Sequence, residues 1–168
     1  MPAGGRMGTV HAVTTTTPDA VHELLTTTRT WAVVGASPDP TRDSHRILRA
    51  LLSWGFDVVP VNPTCDEVAG LPAVPSLEAL PAGRQIDVVD VFRRSSEAGR
   101  HVDEAIALGA RGVWLQLGVI DEAAAERARS SGLLVVMDRC PLIEYPRLLR
   151  SGRIPQQRPF ATEDKSGN

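Results

Sequence analysis

The chain has 168 residues, a normal size for one domain, and at that size about two-thirds of the unfolded surface can be buried around a single core. Its formal net charge is −2, from 18 basic and 20 acidic residues mixed along the sequence, so no broad electrostatic field favours nucleic acid or an anionic membrane as a partner. Lys165 is the only lysine, which excludes a buried Schiff-base lysine or a phosphate-loop lysine.

The cysteines and histidines do not predict a disulfide framework or a metal site. Cys65 and Cys140 form no CxxC pair, and none of the four histidines belongs to an HExxH motif. The N-terminus has no continuous apolar run of the kind found in signal peptides, and no later run approaches the roughly 20 residues that span a bilayer. We therefore expect a reducing compartment and a cytoplasmic location.

Short apolar runs alternate with helical patterns along the chain, which is typical of an α/β fold. Residues 1–17 are expected to form a flexible leader, and Thr17 and Pro18 begin a first helix. The predicted strands are residues 31–35, 57–61, a short one near 73–74, 87–92, 113–117 and 134–137. Helical patterns cover residues 44–54, 77–80 (a single turn), 96–108 and 121–131. A final helix over 141–149 is limited by Pro146, and residues 151–168 are expected to form a flexible tail.

Repeated strand–helix–strand units predict one domain over residues 18–150, with a Rossmann-like, doubly wound fold. We expect a mainly parallel sheet of five or six strands with helices on both faces. Gly55, Gly109 and Gly132 each lie where a helix must end before the next strand, as left-handed C-terminal caps require.

Ligands of such sheets bind outside the carboxyl ends of the strands, where the strand order reverses. After the first strand, the small residues of the turn 35–37 allow backbone N–H groups and a helix N-terminus to face a phosphate. Arg42, Arg93, Arg94 and Arg139 are expected on the same rim, where arginines suit a ligand with several phosphates.

These residues do not determine which nucleotide the crevice would bind. An NAD site normally shows GxGxxG and an acid at the end of the second strand. This chain has one glycine in the turn and Asn62 in place of the acid, with Asp66 and Glu67 just beyond. An NAD reading is weakened and stays an alternative.

Several separated motifs carry a resemblance to a known family: VVGASPDPTR, SHRILRALLSWGFDVVPVNP, IDVVDVFRR, GARGVWLQLGV, DEAAAERARSSGL and VVMDRC, between residues 24 and 149. In this order they resemble the small stand-alone CoA-binding proteins, whose domain is similar to the CoA-binding domain of the succinyl-CoA synthetase alpha subunit. The resemblance implies coenzyme A, or acyl-CoA, as the ligand.

The resemblance also implies roles for individual residues. It places the pyrophosphate of CoA on Gly35, Ala36 and Ser37, with Arg42 as a nearby cation. It places Val61, Asn62 and Pro63 beside the nucleoside. It places Phe92, Arg93 and Arg94 on the other side of the point where the strand order reverses, and Gln116 near the pantetheine arm. The segment CPLIEYP departs from the pattern, since similar proteins tend to carry histidine at the position of Tyr145, and Pro141 follows the cysteine.

Each of these residues has a structural alternative. Gly35 could serve only the strand-to-helix turn, Arg93 and Arg94 could be solvated charges, and Arg42 could pair with Asp39 or Asp43. Phe92 and Trp114 are expected in the core or on a strand face.

Cys140 suggests a separate hypothesis. Its neighbour Arg139 would favour a thiolate that could form a mixed disulfide with the CoA thiol. The alternative is that Cys140 is a small buried residue without redox chemistry.

No self-contained catalytic set is recognised in the sequence. Ser37 lacks the GxSxG elbow, and a chain of this length has no counterpart of the synthetase domain that carries the phosphorylated histidine. We therefore expect a non-catalytic CoA-binding module, a sensor or a carrier. The alternatives are an NAD(P)-binding oxidoreductase, a subunit of a CoA-ligase-type enzyme, and an interaction protein whose pocket has lost its ligand. A homodimer and a larger enzyme partner are both open.

Overall fold

A computed structural model describes residues 18–155; the leader, Thr17 and most of the tail lie outside this range. The helices are α1 (Pro18–Thr27), α2 (Asp43–Ser53), α3 (Ser95–Leu108), α4 (Glu122–Ser130) and α5 (Pro141–Arg150). The strands are β1 (Thr30–Val34), β2 (Asp57–Val61), β3 (Glu67–Val68), β4 (Leu71–Pro72), β5 (Val88–Val91), β6 (Gly112–Leu115) and β7 (Leu134–Val136). A short 3₁₀ turn spans Leu77–Ala79.

Five strands form one parallel sheet in the order β2-β1-β5-β6-β7. The chain moves outward from β1 to β2 and then crosses back to β5 on the other side of β1, so the strand order reverses between β1 and β5. This confirms the Rossmann-like α/β fold and places the expected ligand crevice at the carboxyl ends of those two strands.

Both faces of the sheet are covered by helices. Alternate residues of β5 serve the two faces: Val89 and Val91 pack with α3 and α4, whereas Val88 packs in the layer that contains α1, α2 and α5. Because both faces are buried, the interior of the sheet is apolar, with polar residues only at the first positions of β1 and β2 and at Asp90, which is buried in the middle of the sheet.

Two regions differ from the sequence expectation. The strand expected near residues 73–74 is only an isolated bridge, in which Val74 pairs with Val61. The small antiparallel pair β3–β4 was not predicted, because two-residue strands have no periodicity to detect. Both features protect the carboxyl end of the edge strand β2.

The final helix α5 extends over ten residues with Pro146 inside it. Proline removes the hydrogen bond to the carbonyl of Leu142, which lies in the first turn. The buried Tyr145 and Leu148 hold the helix on the sheet, so tertiary packing outweighs this loss. The three glycines expected to end helices all have positive φ angles, as predicted. None of the helices within residues 18–155 has the length and apolarity to cross a membrane.

Candidate functional site

The glycine turn after β1 is fixed by its neighbours in the sheet. Gly35 has a φ angle of +83°, and a Cβ added there would lie 2.5 Å from the carbonyl oxygen of Phe92. Its N–H donates to the carbonyl of Val61 at 2.9 Å. Gly35 is therefore required where β1, β2 and β5 come together, before any ligand is considered.

Polar groups in the rest of the predicted phosphate loop also form hydrogen bonds with other parts of the chain. The N–H of Ser37 donates to Ser44 Oγ at 3.0 Å, and the Ala36 carbonyl accepts from Asn62 Nδ2 at 2.7 Å. Asn62 Oδ1 in turn accepts from the N–H and the hydroxyl of Thr64, both at 2.8 Å. The N–H groups of Gly35 and Ser37 thus already have acceptors within the protein, and their role toward a phosphate stays a prediction.

A cleft of about 690 Å³ lies beside this turn, at the carboxyl ends of β5 and β6. Its volume falls within the range of small-molecule sites, about 300–1,000 Å³. Five of the predicted residues line it: Phe92, Arg93, Arg94, Gln116 and Cys140. The other predicted residues do not line it: Gly35, Ala36, Ser37, Arg42, Val61, Asn62 and Pro63.

Three helices begin at the edge of the cleft. Asp43 and Ile47 of α2, Glu97 of α3 and Leu142 of α5 line it, all within the first turn or two of their helices. Unsatisfied N–H groups give the start of a helix a partial positive charge, so three such ends around one cleft favour a bound anion.

The arginines predicted at the carboxyl ends of the strands differ in whether a carboxylate neutralises their charge. Within the described part of the chain, no carboxylate forms an ion pair with Arg42, Arg93 or Arg94. Arg42 and Arg94 are the N-cap residues of α2 and α3. By contrast, Arg139 pairs with Glu144 at 3.6 Å and is not part of the free positive charge.

Three apolar side chains that line the cleft, called the apolar wall below, are exposed to solvent. Leu117 is 57% exposed, Ile143 43% and Leu142 37%. Exposed apolar side chains grouped in this way are typical of a binding surface. Arg93 and Arg94 follow β5, whereas Leu117 follows β6 and Leu142 and Ile143 begin α5 after β7. The cleft therefore combines arginines and exposed apolar side chains from different elements, which suits an amphipathic ligand.

The loop that carries Leu117 is held in place by hydrogen bonds. The N–H of Gly118 donates to Asp138 Oδ1 at 2.8 Å, and Ser95 Oγ donates to the Gly118 carbonyl at 3.2 Å. The N–H of Ile120 donates to Ser95 Oγ at 2.9 Å. These bonds tie the apolar wall to the start of α3 and to the end of β7, so the wall is formed before a ligand binds.

An acidic residue missed by the sequence reasoning lies below the cleft. Asp90 of β5 is 0% exposed, and burial raises the pKa of its carboxyl to about 8, although the hydrogen bond from Gln116 lowers it. Gln116 Nε2 donates to Asp90 Oδ1, while Asp90 Oδ2 is buried without a partner in the described residues. The sequence did contain a signal for this site, because an acidic residue inside the apolar run VVDVF is unusual for a buried strand.

Cys140 lines the cleft, but the structure does not support a thiolate. The thiol is half-buried, and this burial raises its pKa above the ordinary value. The two first-turn backbone N–H groups act in the other direction without reversing the shift. The assumption that Arg139 activates the thiol is therefore wrong, since its guanidinium pairs with Glu144.

The two histidines near the sheet have structural partners. His45 Nδ1 lies 2.9 Å from the Ser37 carbonyl, and His101 Nδ1 lies 3.0 Å from Glu104 Oε2. Neither lines the cleft. Among residues 18–155, no three His, Cys, Asp or Glu side chains are grouped so as to hold a metal ion.

Several relatives share this fold and sequence. A Bacillus subtilis (strain 168) protein named YneT, described as uncharacterized, is 38% identical over 120 residues, which are 71% of this chain and 87% of YneT. A hypothetical protein from Pyrococcus horikoshii OT3 is 36% identical with a TM-score of 0.74, over 89% of this chain and 99% of its own. A dinucleotide forming acetyl-coenzyme A synthetase from Ca. Korarchaeum cryptofilum, solved with phosphate and ADP, is 30% identical with a TM-score of 0.58, over 69% of this chain and 27% of the synthetase.

The family model named CoA binding domain matches residues 29–146. This range runs from the start of β1 into α5, so it includes all five strands of the parallel sheet and the cleft at their carboxyl ends. The chain belongs to the CoA-binding domain family.

Proposed function

We propose that this protein binds CoA or acyl-CoA in the cleft and acts through binding rather than catalysis, as a sensor of CoA or a carrier of acyl-CoA. The observation that carries the proposal is that one cleft within a CoA-binding domain combines arginines with exposed apolar side chains. CoA needs both kinds of contact, since it has three phosphate groups at its nucleotide end and a long pantetheine arm whose methylene and methyl groups are interrupted by two amides.

The phosphates are assigned to Arg93 and Arg94, which line the cleft, supported by the N-termini of α2 and α3; Arg42 does not line the cleft and contributes only as a nearby cation at the start of α2. Arginine binds phosphate oxygens with paired N–H groups, and no carboxylate of the described chain forms an ion pair with Arg93 or Arg94; Arg42 interacts electrostatically with Asp39. The arm is assigned to the side of the cleft formed by Gln116, Leu117 and the first turn of α5. The turn 35–37 contributes close packing, and its role toward the pyrophosphate stays a prediction.

A role in binding is also supported by the side chains of the cleft. The thiol of Cys140 has a raised pKa and is mostly protonated at pH 7, which makes it a poor nucleophile. The described histidines lie outside the cleft and have internal partners. A cytoplasmic location stays a prediction from the sequence.

Calorimetric titration of the reduced, ligand-free protein with CoA, 3′-dephospho-CoA and NAD tests the proposal. We expect saturable binding of CoA, weaker binding of 3′-dephospho-CoA and none of NAD. Arg93→Ala and Arg94→Ala should each weaken CoA binding roughly fivefold or more, since each removes charge-assisted hydrogen bonds. Arg100→Ala is the matched control, because Arg100 is exposed on α3 and does not line the cleft.

Binding of NAD alone would instead indicate an oxidoreductase, and no binding of any nucleotide would indicate an interaction protein. Gly35→Val is not a useful ligand test, since the steric conflict with the Phe92 carbonyl would damage the sheet itself.

A second candidate is a component of a CoA-ligase-type enzyme. The similarity to the Korarchaeum acetyl-coenzyme A synthetase favours it, and there this chain corresponds to 27% of the synthetase. Such a component needs further subunits for the reaction. Co-purification of a tagged protein with a larger subunit, followed by a thiokinase assay of that complex, distinguishes it from a protein that acts alone.

A further inference from the structure

Asp90 and Gln116 form a polar pair at the bottom of the cleft. Gln116 lines the cleft and is 4% exposed. Its side chain makes one hydrogen bond in the described part of the chain, from Nε2 to Asp90 Oδ1. With Nε2 directed to Asp90, the carbonyl oxygen Oε1 is the end of the amide that is left to accept a hydrogen bond in the cleft.

The fold alone does not account for Asp90. The other three residues of β5 are valines, all 0% exposed, and a buried carboxyl is unfavourable unless its oxygens have donors. Asp90 Oδ2 has none within residues 18–155. The only hydrogen bond that the carboxyl makes there is the one from Gln116, so the effect of Asp90 is exerted on the orientation of that amide.

We propose that Asp90 is a positioning residue that fixes Gln116 Oε1 as the acceptor for an amide N–H of the pantetheine arm. This inference rests on the proposed function. A carbonyl oxygen repels phosphate oxygens, which are also acceptors, so it does not bind the phosphates of CoA; the adenine amino group and the ribose hydroxyl are the competing donors, and adenosine 3′,5′-bisphosphate carries both. Leu117, the next residue after Gln116, and Leu142 and Ile143 of α5 line the same cleft and suit the methylene and methyl groups of the arm, whose two amides supply N–H donors.

If Asp90 affects CoA binding only through Gln116, substitutions of the two residues should give a specific pattern of CoA affinities. Gln116→Met keeps the approximate volume and removes the acceptor. Asp90→Val removes the group that orients the amide, whereas Asp90→Asn keeps an acceptor for Nε2. If Asp90 acts through Gln116, the double variant should bind CoA no more weakly than Gln116→Met alone.

The experiment is a titration of these variants with CoA, desulfo-CoA and adenosine 3′,5′-bisphosphate, which lacks the arm. We expect Gln116→Met and Asp90→Val to weaken CoA binding roughly five- to tenfold, the value of one hydrogen bond. Adenosine 3′,5′-bisphosphate should bind all variants equally, and Asp90→Asn should recover most of the affinity lost in Asp90→Val. Val88→Ala, on the same strand and face, controls for loss of packing.

Each other outcome overturns a defined part of the argument. Equal losses for CoA and the bisphosphate would mean that the variants damage the fold, and unchanged CoA affinity in Gln116→Met would exclude the acceptor role. If the Gln116 dependence disappears with desulfo-CoA, the donor is the thiol and not an amide. If the parent protein binds neither CoA nor the bisphosphate, the proposed function itself fails.

Discussion

Replacing Asp90 with Asn should change how the stability of the protein depends on pH. In the folded state, burial raises the pKa of this carboxyl from 3.8 to about 8, against the smaller lowering by the Gln116 hydrogen bond. The unfolded chain loses this proton near pH 4, whereas the folded protein keeps it to about pH 8. Between these values the unfolded state binds fewer protons, so this group makes the free energy of unfolding fall as pH rises.

The magnitude follows from the two pKa values. The slope is about 1.4 kcal/mol per pH unit, and the whole interval corresponds to about 6 kcal/mol. This is large beside a typical domain stability of about 5–15 kcal/mol. Asn has nearly the shape of Asp and cannot ionise. The stability of Asp90→Asn relative to the parent should therefore rise steadily from about pH 4 to pH 8 and be constant above that range.

Urea unfolding at pH 5, 6, 7 and 8 measures this difference, with fluorescence of the buried Trp31 and Trp114 as the signal. Asp66→Asn is a control for the loss of one exposed carboxyl group. If the parent and Asp90→Asn differ by the same amount at every pH, Asp90 does not retain its proton in the folded state. The reasoning about its burial and its orphaned oxygen would then be wrong.

Two further predictions concern the turn and the cysteine. Gly35→Ala should destabilise the protein by about 3 kcal/mol or more, because the added Cβ conflicts sterically with the Phe92 carbonyl and the φ angle is positive. Gly109→Ala also has a positive φ but has open space at its Cβ, so it should cost about 1 kcal/mol in thermal or urea unfolding. Equal losses of stability in the two variants would contradict the steric conflict at Gly35. Iodoacetamide at pH 7 should alkylate Cys140 more slowly in the folded protein than in urea, because burial raises its pKa. Saturating CoA should slow Cys140 further without affecting Cys65, which lies outside the cleft; peptide mass spectrometry measures both, and equal protection of the two cysteines would argue against the cleft as the site.

The class of fold could be predicted because its determinants are local. Apolar runs of four or five residues, helical spacing between them and a glycine after three of the helices are properties of short segments. The carboxyl-end rule then selected residues near the crevice without knowledge of side-chain positions. Arg93, Arg94, Gln116 and Cys140 were found in this way, and all of them line the cleft.

The use of each polar group was decided only by the tertiary structure. Asn62 reaches back to Ala36, and Gln116 reaches Asp90, in each case across 26 residues of sequence. Such pairs depend on which strands become neighbours, and local periodicity does not carry that information.

The same reason explains two local features of the structure. The N–H of Gly35 is used by β2, and its missing side chain makes room for the carbonyl that follows β5. The proline in α5 is tolerated because the sheet holds that helix from one side. The sequence by itself indicated a crevice at the carboxyl ends of the strands, while the packing of distant segments decided which strand ends line it and which donors and acceptors are left free for a ligand.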